Sequence, residues 1–260
     1  MFTIIIPTHD RPQLLHRTLL SLAGQTFKDF TVIIVSDSAT YVPPYAALSA
    51  LPGRYIHVIR NGPPGPAESR NLALDIAATD YIMFLDDDDT LENTHLQGLK
   101  DALGRSQREI LFCDLKVVHE ERTQFPPKIS GTFPVSIADV TRENVFVKNR
   151  IPNSCLLYSR DVVKSIRFDP SMVLYEDWDF LLQCLQTHDL HHVPINSVCI
   201  HKSMGQNVEN LRRGTSADDK ILGYTLEIYK RYKACTDEVR EARRQMFSQV
   251  GIILQDEYLQ

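Results

Sequence analysis

The sequence predicts an α/β fold, a mostly parallel sheet flanked by helices, with a helical extension at its C-terminal end. Two observations predict it. Through the first half, apolar runs of roughly four to six residues alternate with helical patterns of about a dozen, the pattern of βαβ units. Those runs are continuously apolar instead of alternating, which fits strands covered by helices on both faces. At 260 residues with 43% apolar content, the chain is long enough for one large domain with a sizeable core, or a domain with an appendage.

Taken in order, Phe2–Ile6 reads as a buried strand. Pro12–Gly24 reads as an amphipathic helix with Leu14, Leu15, Leu19 and Leu22 on one side. Thr31–Val35 and Tyr55–Ile59 are the next β-branched strands, and Gly65 and Pro66 mark the start of a helix over Pro66–Ala78. Tyr81–Leu85 is a fourth strand, followed by a helix near Glu92–Leu103 and a strand at Glu109–Leu115. Lys116–Val147 is polar and Pro-bearing, without a sustained helical period, and reads as a β/loop region over the sheet. Beyond it, Ser154–Ser159 and Val193–Ile200 read as strands and Glu176–Thr187 as a helix. From Ala217 onward the composition is helical, with Tyr224, Ile228 and Tyr232 at i, i+4 and i+8. The expected organisation is one domain over 1–205, divided at about 115/116, then the extension over 206–260.

Composition excludes several classes. A net charge of −5 gives no reason to expect nucleic acid as a partner. Five scattered cysteines without a C-x-x-C spacing point to free thiols in a reducing compartment, away from disulfide or zinc chemistry. No apolar stretch approaches the ~18 residues of a membrane span. The opening MFTIIIPTHDRP lacks a basic n-region and reads as a strand, not a signal peptide. The expected location is the cytoplasm.

Ligands of open parallel sheets bind at the carboxyl ends of the strands. The residues that follow the strands therefore carry the chemistry: Pro7 to Arg11 after the first, Ser36 to Ser38 after the second, and Asp86 to Thr90 after the fourth. Four adjacent aspartates, Asp86 to Asp89, repel one another, and no Lys or Arg stands near them in sequence. A hard divalent cation, Mg²⁺ or Mn²⁺, relieves such repulsion through oxygen ligands, and commonly shares its shell with phosphate. The ordinary alternative is a solvated acidic turn, with Asp89 or Thr90 capping the next helix.

The segments MFTIIIPTHDRPQLLHRTLLSLAGQTFKDFTVIIVSDSAT, NGPPGPAESRNLALDIAATDYIMFLDDDDTL and YEDWDF, in that order and spacing, resemble family 2 glycosyltransferases of the GT-A fold, a Rossmann-like architecture. The resemblance covers about residues 2–205 and implies an inverting, metal-dependent hexosyltransferase. Its donor would be a nucleotide-diphosphate sugar, expected to be a UDP-sugar, and its acceptor hydroxyl would belong to a saccharide or lipid-linked saccharide of a bacterial surface polymer. It implies that the D-x-D motif falls on Asp86 and Asp88. Asp88 would be the metal ligand, with Asp86 and Asp87 on the nucleotide side. Asp37 would contact the base, although Ser36 stands where relatives often carry a further Asp. Pro7 and Thr8 would lie along base and ribose. Arg70 and Asn71 match an Arg-Asn pair near the donor, and a guanidinium there can bind a pyrophosphate bidentately.

In the same family the Asp of an E-D-W motif is the general base, which falls here on Asp177, with Glu176 beside it and Trp178 placed to stack on an acceptor sugar. A carboxylate within hydrogen-bond reach can take the acceptor proton. Acids at a helix start are also favoured by the helix dipole, and a Trp at helical spacing is ordinarily core. His201 stands where relatives often carry a histidine near the metal. Two other classes remain open. YIMFLDDDDTL also spells the D-x-D-x-T motif of haloacid-dehalogenase-like phosphatases, with Asp86 as nucleophile, although that motif belongs on a first strand and here follows three others. The third reading is a non-catalytic nucleotide-sugar-binding subunit. From Lys202 to Arg244 the chain carries ten Lys/Arg against seven Asp/Glu, a slight basic excess that suits either a solvated helical face or peripheral contact with an anionic membrane. The sequence leaves the oligomeric state open.

Overall fold

The computed structural model describes residues 1–104, 108–204 and 218–259, apart from the side chains of 218–220. The chain opens with β1 (Phe2–Thr8), α1 (Pro12–Ala23), β2 (Phe30–Ser36), α2 (Tyr45–Ser49), β3 (Arg54–Ile59), α3 (Pro66–Ile76) and β4 (Tyr81–Phe84). All seven residues of β1 and six of seven in β2 are buried, which is why these strands read as unbroken apolar runs. β3 is an edge strand with several exposed side chains. Prolines occupy the first helical position of both α1 and α3, where a missing N–H costs nothing.

The strands run in the order β3-β2-β1-β4, all parallel. The chain thus starts in the middle, moves outward, and returns to the other side of β1. The order reverses between β1 and β4, and there the carboxyl ends of neighbouring strands diverge into a crevice.

The second half comprises β5 (Thr90–Leu91), α4 (His95–Leu103), β6 (Ile110–Glu121), β7 (Lys128–Val135), α5 (Arg142–Val145), β8 (Leu156–Ser159), α6 (Arg160–Val163), α7 (Glu176–Cys184) and β9 (Leu190–Ser203). β8 pairs antiparallel with both β4 and β6, and β9 runs parallel to β6 and antiparallel to β5, so one sheet continues across the molecule. The region expected to be a β/loop insertion combines strand and loop: β6 runs on through Glu121, and β7 pairs with its far half. The sheet therefore crosses the expected boundary at 115/116. α8 (Asp218–Arg231) and α9 (Asp237–Ser248) follow; Ala217, where the sequence places the start of the last helical region, lies outside the described residues. Ile228, Tyr229, Val239 and Phe247 join the same core as the sheet, so these helices are packed into the same body. No helix among the described residues is long and apolar enough to cross a membrane.

Candidate active site

The aspartate run leaves the end of β4 at the switch point and turns at once, with the Asp89 N–H bonded to the Asp86 carbonyl at 3.1 Å. The turn sends the four carboxylates to different partners. Asp87 is 0% exposed and points inward, where it accepts from the Thr8 hydroxyl at 2.7 Å and from the Arg11 guanidinium through two nitrogens. Asp88 accepts from Arg122 Nη2 at 3.1 Å. Asp89 accepts from the Ser154 hydroxyl at 2.8 Å and from the His201 N–H at 3.1 Å. Asp86 is the most open of the four, its side chain 39% exposed, and pairs with Arg70 at 2.9 Å. The mutual repulsion of the run is thus relieved in large part by Arg11, Arg70 and Arg122, which sequence proximity did not reveal.

Arg70 is buried in α3 and reaches Asp86 with one Nη and Glu176 with the other, at 3.0 Å. Burial opposes its charge, but Asp86 and Glu176 outweigh that and raise its pKa. The expectation of a free guanidinium fork facing a pyrophosphate is corrected: both Nη groups are spent on carboxylates. Next to it, Asn71 exchanges two 2.8 Å hydrogen bonds with the backbone of Phe168. The Phe168 ring stacks on Phe180 of α7 at 4.0 Å, and both meet Phe84, the last residue of β4, edge-on. This aromatic cluster sets α7 against the end of β4, and so brings its first turn to the aspartate run.

At that turn, Tyr175 adopts a left-handed backbone, φ 67°, a conformation that costs a β-carbon-bearing residue about 1 kcal/mol or more. Its ring meets Trp178 edge-on at 5.3 Å. Asp177 accepts from the Trp178 N–H at 2.8 Å and from Asn149 Nδ2 at 3.4 Å. Burial, with Glu176 and Asp86 nearby, pushes its carboxyl up to about 7 despite Arg70. Trp178 does not face an acceptor. It is 2% exposed and its indole N–H donates to the Val145 carbonyl at 2.8 Å, so the stacking expectation is overturned by its place in the core.

On the opposite side of the crevice, Asp37 follows β2 and accepts from His9 at 2.5 Å and from the Gly65 N–H at 2.5 Å. Arg60 holds this corner together. It lies 3.5 Å from Asp37 and bonds Glu68, Ser69 and the carbonyls of Pro63 and Gly65, which shapes the 60–65 loop. Gly62 turns that loop at φ 113°, where a side chain would be strained. Pro7 and Thr8 are buried in β1, and the Thr8 hydroxyl is committed to Asp87, so neither side chain is presented to the crevice. Asp87, enclosed behind them, likewise has no open face toward a nucleotide.

His201 stands behind the carboxylates. One ring nitrogen contacts Glu120 at 2.9 Å and the other Thr90 at 3.0 Å, with the residue 5% exposed. Both nitrogens are engaged by protein groups. Burial would raise the Glu120 carboxyl, but hydrogen bonds from His201, Arg17 and Arg122 hold it down at about 2. Arg17 also donates to the Asp88 carbonyl at 2.6 Å. Sequence reasoning placed Arg11 at a strand end without a role and missed Arg17, Arg60, Glu120 and Arg122. Arg17 and Glu120 are 103 residues apart, and no local pattern marks such a pair.

Carboxylate oxygens of Asp86, Asp88 and Asp89 lie within 4.8 Å of one another. An all-oxygen set of this kind fits Mg²⁺ or Mn²⁺ and does not fit a soft thiophilic metal. Asp86 and Asp88 would hold the ion, with Asp89 fixed behind them by Ser154 and His201. A separate recess of about 440 Å³ at the opposite ends of the strands, lined by Thr3, Thr31, Tyr55 and Ile76 among others, contains no carboxylate.

Carboxylates converge where the strand order of this α/β sheet reverses, the place where such sheets expose their ligand sites. The comparisons give the family. The model for glycosyl transferase family 2 matches residues 3–167, and the chain belongs to that family of glycosyltransferases. The succinoglycan biosynthesis protein ExoW of Rhizobium meliloti is 27% identical over 70% of this chain, which spans 63% of ExoW's length. The poly(ribitol-phosphate) β-N-acetylglucosaminyltransferase TarP of Staphylococcus aureus is 24% identical over 94% of this chain and 76% of its own. The structure of S. aureus TarS 1–349 with UDP-GlcNAc superimposes with a TM-score of 0.68 at 18% identity, over 94% of this chain and 70% of that one. The mannosyltransferase PcManGT from Pyrobaculum calidifontis, in complex with GDP-Man and Mn²⁺, does so at 0.56 and 16% identity, over 80% and 58%. The fold is thus the GT-A fold, and family membership sets aside the phosphatase reading.

Proposed function

We propose that the chain transfers a sugar, with inversion, from a UDP-sugar to an acceptor hydroxyl in the synthesis of a bacterial surface polysaccharide. One observation carries this reading: a single buried arginine joins the open carboxylate of the D-x-D run to the E-D pair on α7. Donor-side and acceptor-side acids thereby share one crevice. The names of ExoW and TarP support a surface polymer, and the UDP-GlcNAc bound to TarS supports a uridine nucleotide.

Asp177 takes the proton of the acceptor hydroxyl as its oxygen bonds to the anomeric carbon. The bond from that carbon to the phosphate oxygen breaks, and its electron pair leaves on the diphosphate. A carboxyl with a pKa near 7 is matched to that work near neutral pH. Asp37, fixed by Arg60 and Gly65, faces the base. Asp86 and Asp88 would hold a divalent cation, which would supply charge stabilisation for the departing diphosphate. Arg70 holds Asp86 and Glu176 in place.

Thermal unfolding with UDP, GDP and dTDP, each with and without Mn²⁺, tests the reading on wild type and Asp88→Ala. A ligand at about a hundred times its dissociation constant stabilises by ~2.7 kcal/mol. UDP should raise Tm only with metal, and Asp88→Ala should abolish the shift. Absence of a shift with every nucleotide overturns the donor-site reading. A shift with GDP or dTDP alone keeps the site and overturns uridine.

A further inference from the structure

The last turn of α5 leaves carbonyls that no intrahelical N–H can reach. Side chains from three different helices take them one after another. The Val145 carbonyl accepts from the Trp178 indole of α7 at 2.8 Å. The Phe146 carbonyl accepts from Arg243 of α9 through Nη2 at 2.9 Å and Nε at 3.1 Å. The Val147 carbonyl accepts from the Tyr229 hydroxyl of α8 at 2.6 Å. Two residues further on, Asn149 donates to Asp177 Oδ1.

Arg243 is unusual for a buried cation. It is 0% exposed, and its hydrogen bonds end on backbone carbonyls: Phe146, Tyr232 at 2.8 Å and Tyr258 at 3.3 Å. Its guanidinium lies 3.9 Å from the centre of the Tyr229 ring. Burying a charge without a countercharge is costly, and carbonyl dipoles and an aromatic face are the compensation. What that compensation achieves is to join the 146–147 segment, the end of α8, α9 and the C-terminal turn at one point. α8 also grips the catalytic helix directly, since the Tyr232 hydroxyl donates to the buried Asp179 at 2.8 Å and Arg231 pairs with it at 3.3 Å.

We propose that Tyr229 and Arg243 are positioning residues for Asp177: they fix the Phe146 and Val147 carbonyls, and Asn149 passes that placement to the carboxylate. The proposal rests on Asp177 being the base. The charged and titratable groups that face Asp177 are Glu176 beside it, Arg70 and Asp86 across the crevice, and the Tyr158 and Tyr175 phenols. Asn149 is the neutral donor among them. Loss of a donor to an ionised carboxylate raises its pKa, so a loosened clamp is readable as an alkaline shift of Asp177.

The test is a ¹³C-carboxyl NMR titration of aspartate-labelled full-length protein, with the Asp177 resonance assigned by its loss in Asp177→Asn. Asn149→Ala should move the Asp177 midpoint upward by about half a unit. Tyr229→Phe, which removes one hydroxyl, and Arg243→Lys should move it in the same direction, and Asp37 should not move. If Arg243→Lys fails to fold, Tyr229→Phe carries the same test. An unmoved midpoint in Asn149→Ala overturns the proposal. So does movement in Asn149→Ala with none in Tyr229→Phe. The base reading is tested separately, by UDP release from UDP-GlcNAc in Mn²⁺. Full release by Asp177→Asn overturns that reading and this proposal together, whereas lost release with an unmoved midpoint overturns the proposal alone.

Discussion

Arg70 spans 2.9 Å to Asp86 and 3.0 Å to Glu176, so one guanidinium links the end of β4 to the start of α7. A lysine at this position carries the charge but not the fork. Arg70→Lys is expected to reduce turnover by roughly two orders of magnitude with nucleotide binding retained, because a slight misplacement of reacting groups costs that much. Loss of the pair should also lower stability by roughly 1–3 kcal/mol, less than a fully buried pair since Asp86 is partly open. Steady-state kinetics and urea unfolding check the two effects.

Asp177 gives opposite pH signatures for activity and stability. Its carboxyl is raised in the folded protein from 3.8 to about 7 by burial, then by Glu176. The folded state therefore holds this proton where the unfolded chain has lost it, and the stability it confers fades as pH rises from about 4 to about 7. Activity needs the base deprotonated, so kcat should rise through about 7. Asp177→Asn should have a higher Tm than wild type at pH 8, a similar one at pH 4, and turnover lower by about 10²- to 10⁴-fold. Paired thermal scans and a rate profile check this.

Neighbours in the aspartate run should fail differently. Asp88→Asn should lose Mn²⁺-dependent stabilisation by nucleotide while the protein stays folded. Asp87→Asn leaves the Arg11 guanidinium without its carboxylate and should cost roughly 1–3 kcal/mol of stability, the metal-dependent shift remaining. Differential scanning fluorimetry with and without EDTA separates the two.

Trp178 is the one tryptophan of the chain, so intrinsic emission reports on it alone. Its burial in the core predicts a blue-shifted emission that iodide does not quench until the protein unfolds. Saccharides added as acceptors should leave the spectrum unchanged. Trp178→Phe, which removes the indole donor to Val145, should cost roughly 1–2 kcal/mol.

Apart from the short α2, the order of elements through β4 was legible because each rests on local signals: unbroken apolar strands, a helical period in Leu15, Leu19 and Leu22, and prolines at the starts of α1 and α3. The acidic residues were legible for a related reason. Asp37 and Asp86 directly follow strands, and strand ends are where such sheets expose their chemistry. Lys116–Val147 was legible only as a β/loop region, without strand bounds, because β6 and β7 pair partly exposed residues whose pattern lacks a clean period.

By itself the sequence determined the family, the parallel half of the sheet and the acids at its crevice, all of which depend on residues close together in the chain. Only the tertiary structure decided the surroundings of each group: Asp86 open, Asp87 enclosed by Arg11, Asp177 raised by burial beside Glu176, Trp178 turned into the core, and His201 held between Glu120 and Thr90. The reason is physical. A carboxylate's charge, exposure and partners are set by groups brought to it from tens of residues away, and only folding supplies those distances.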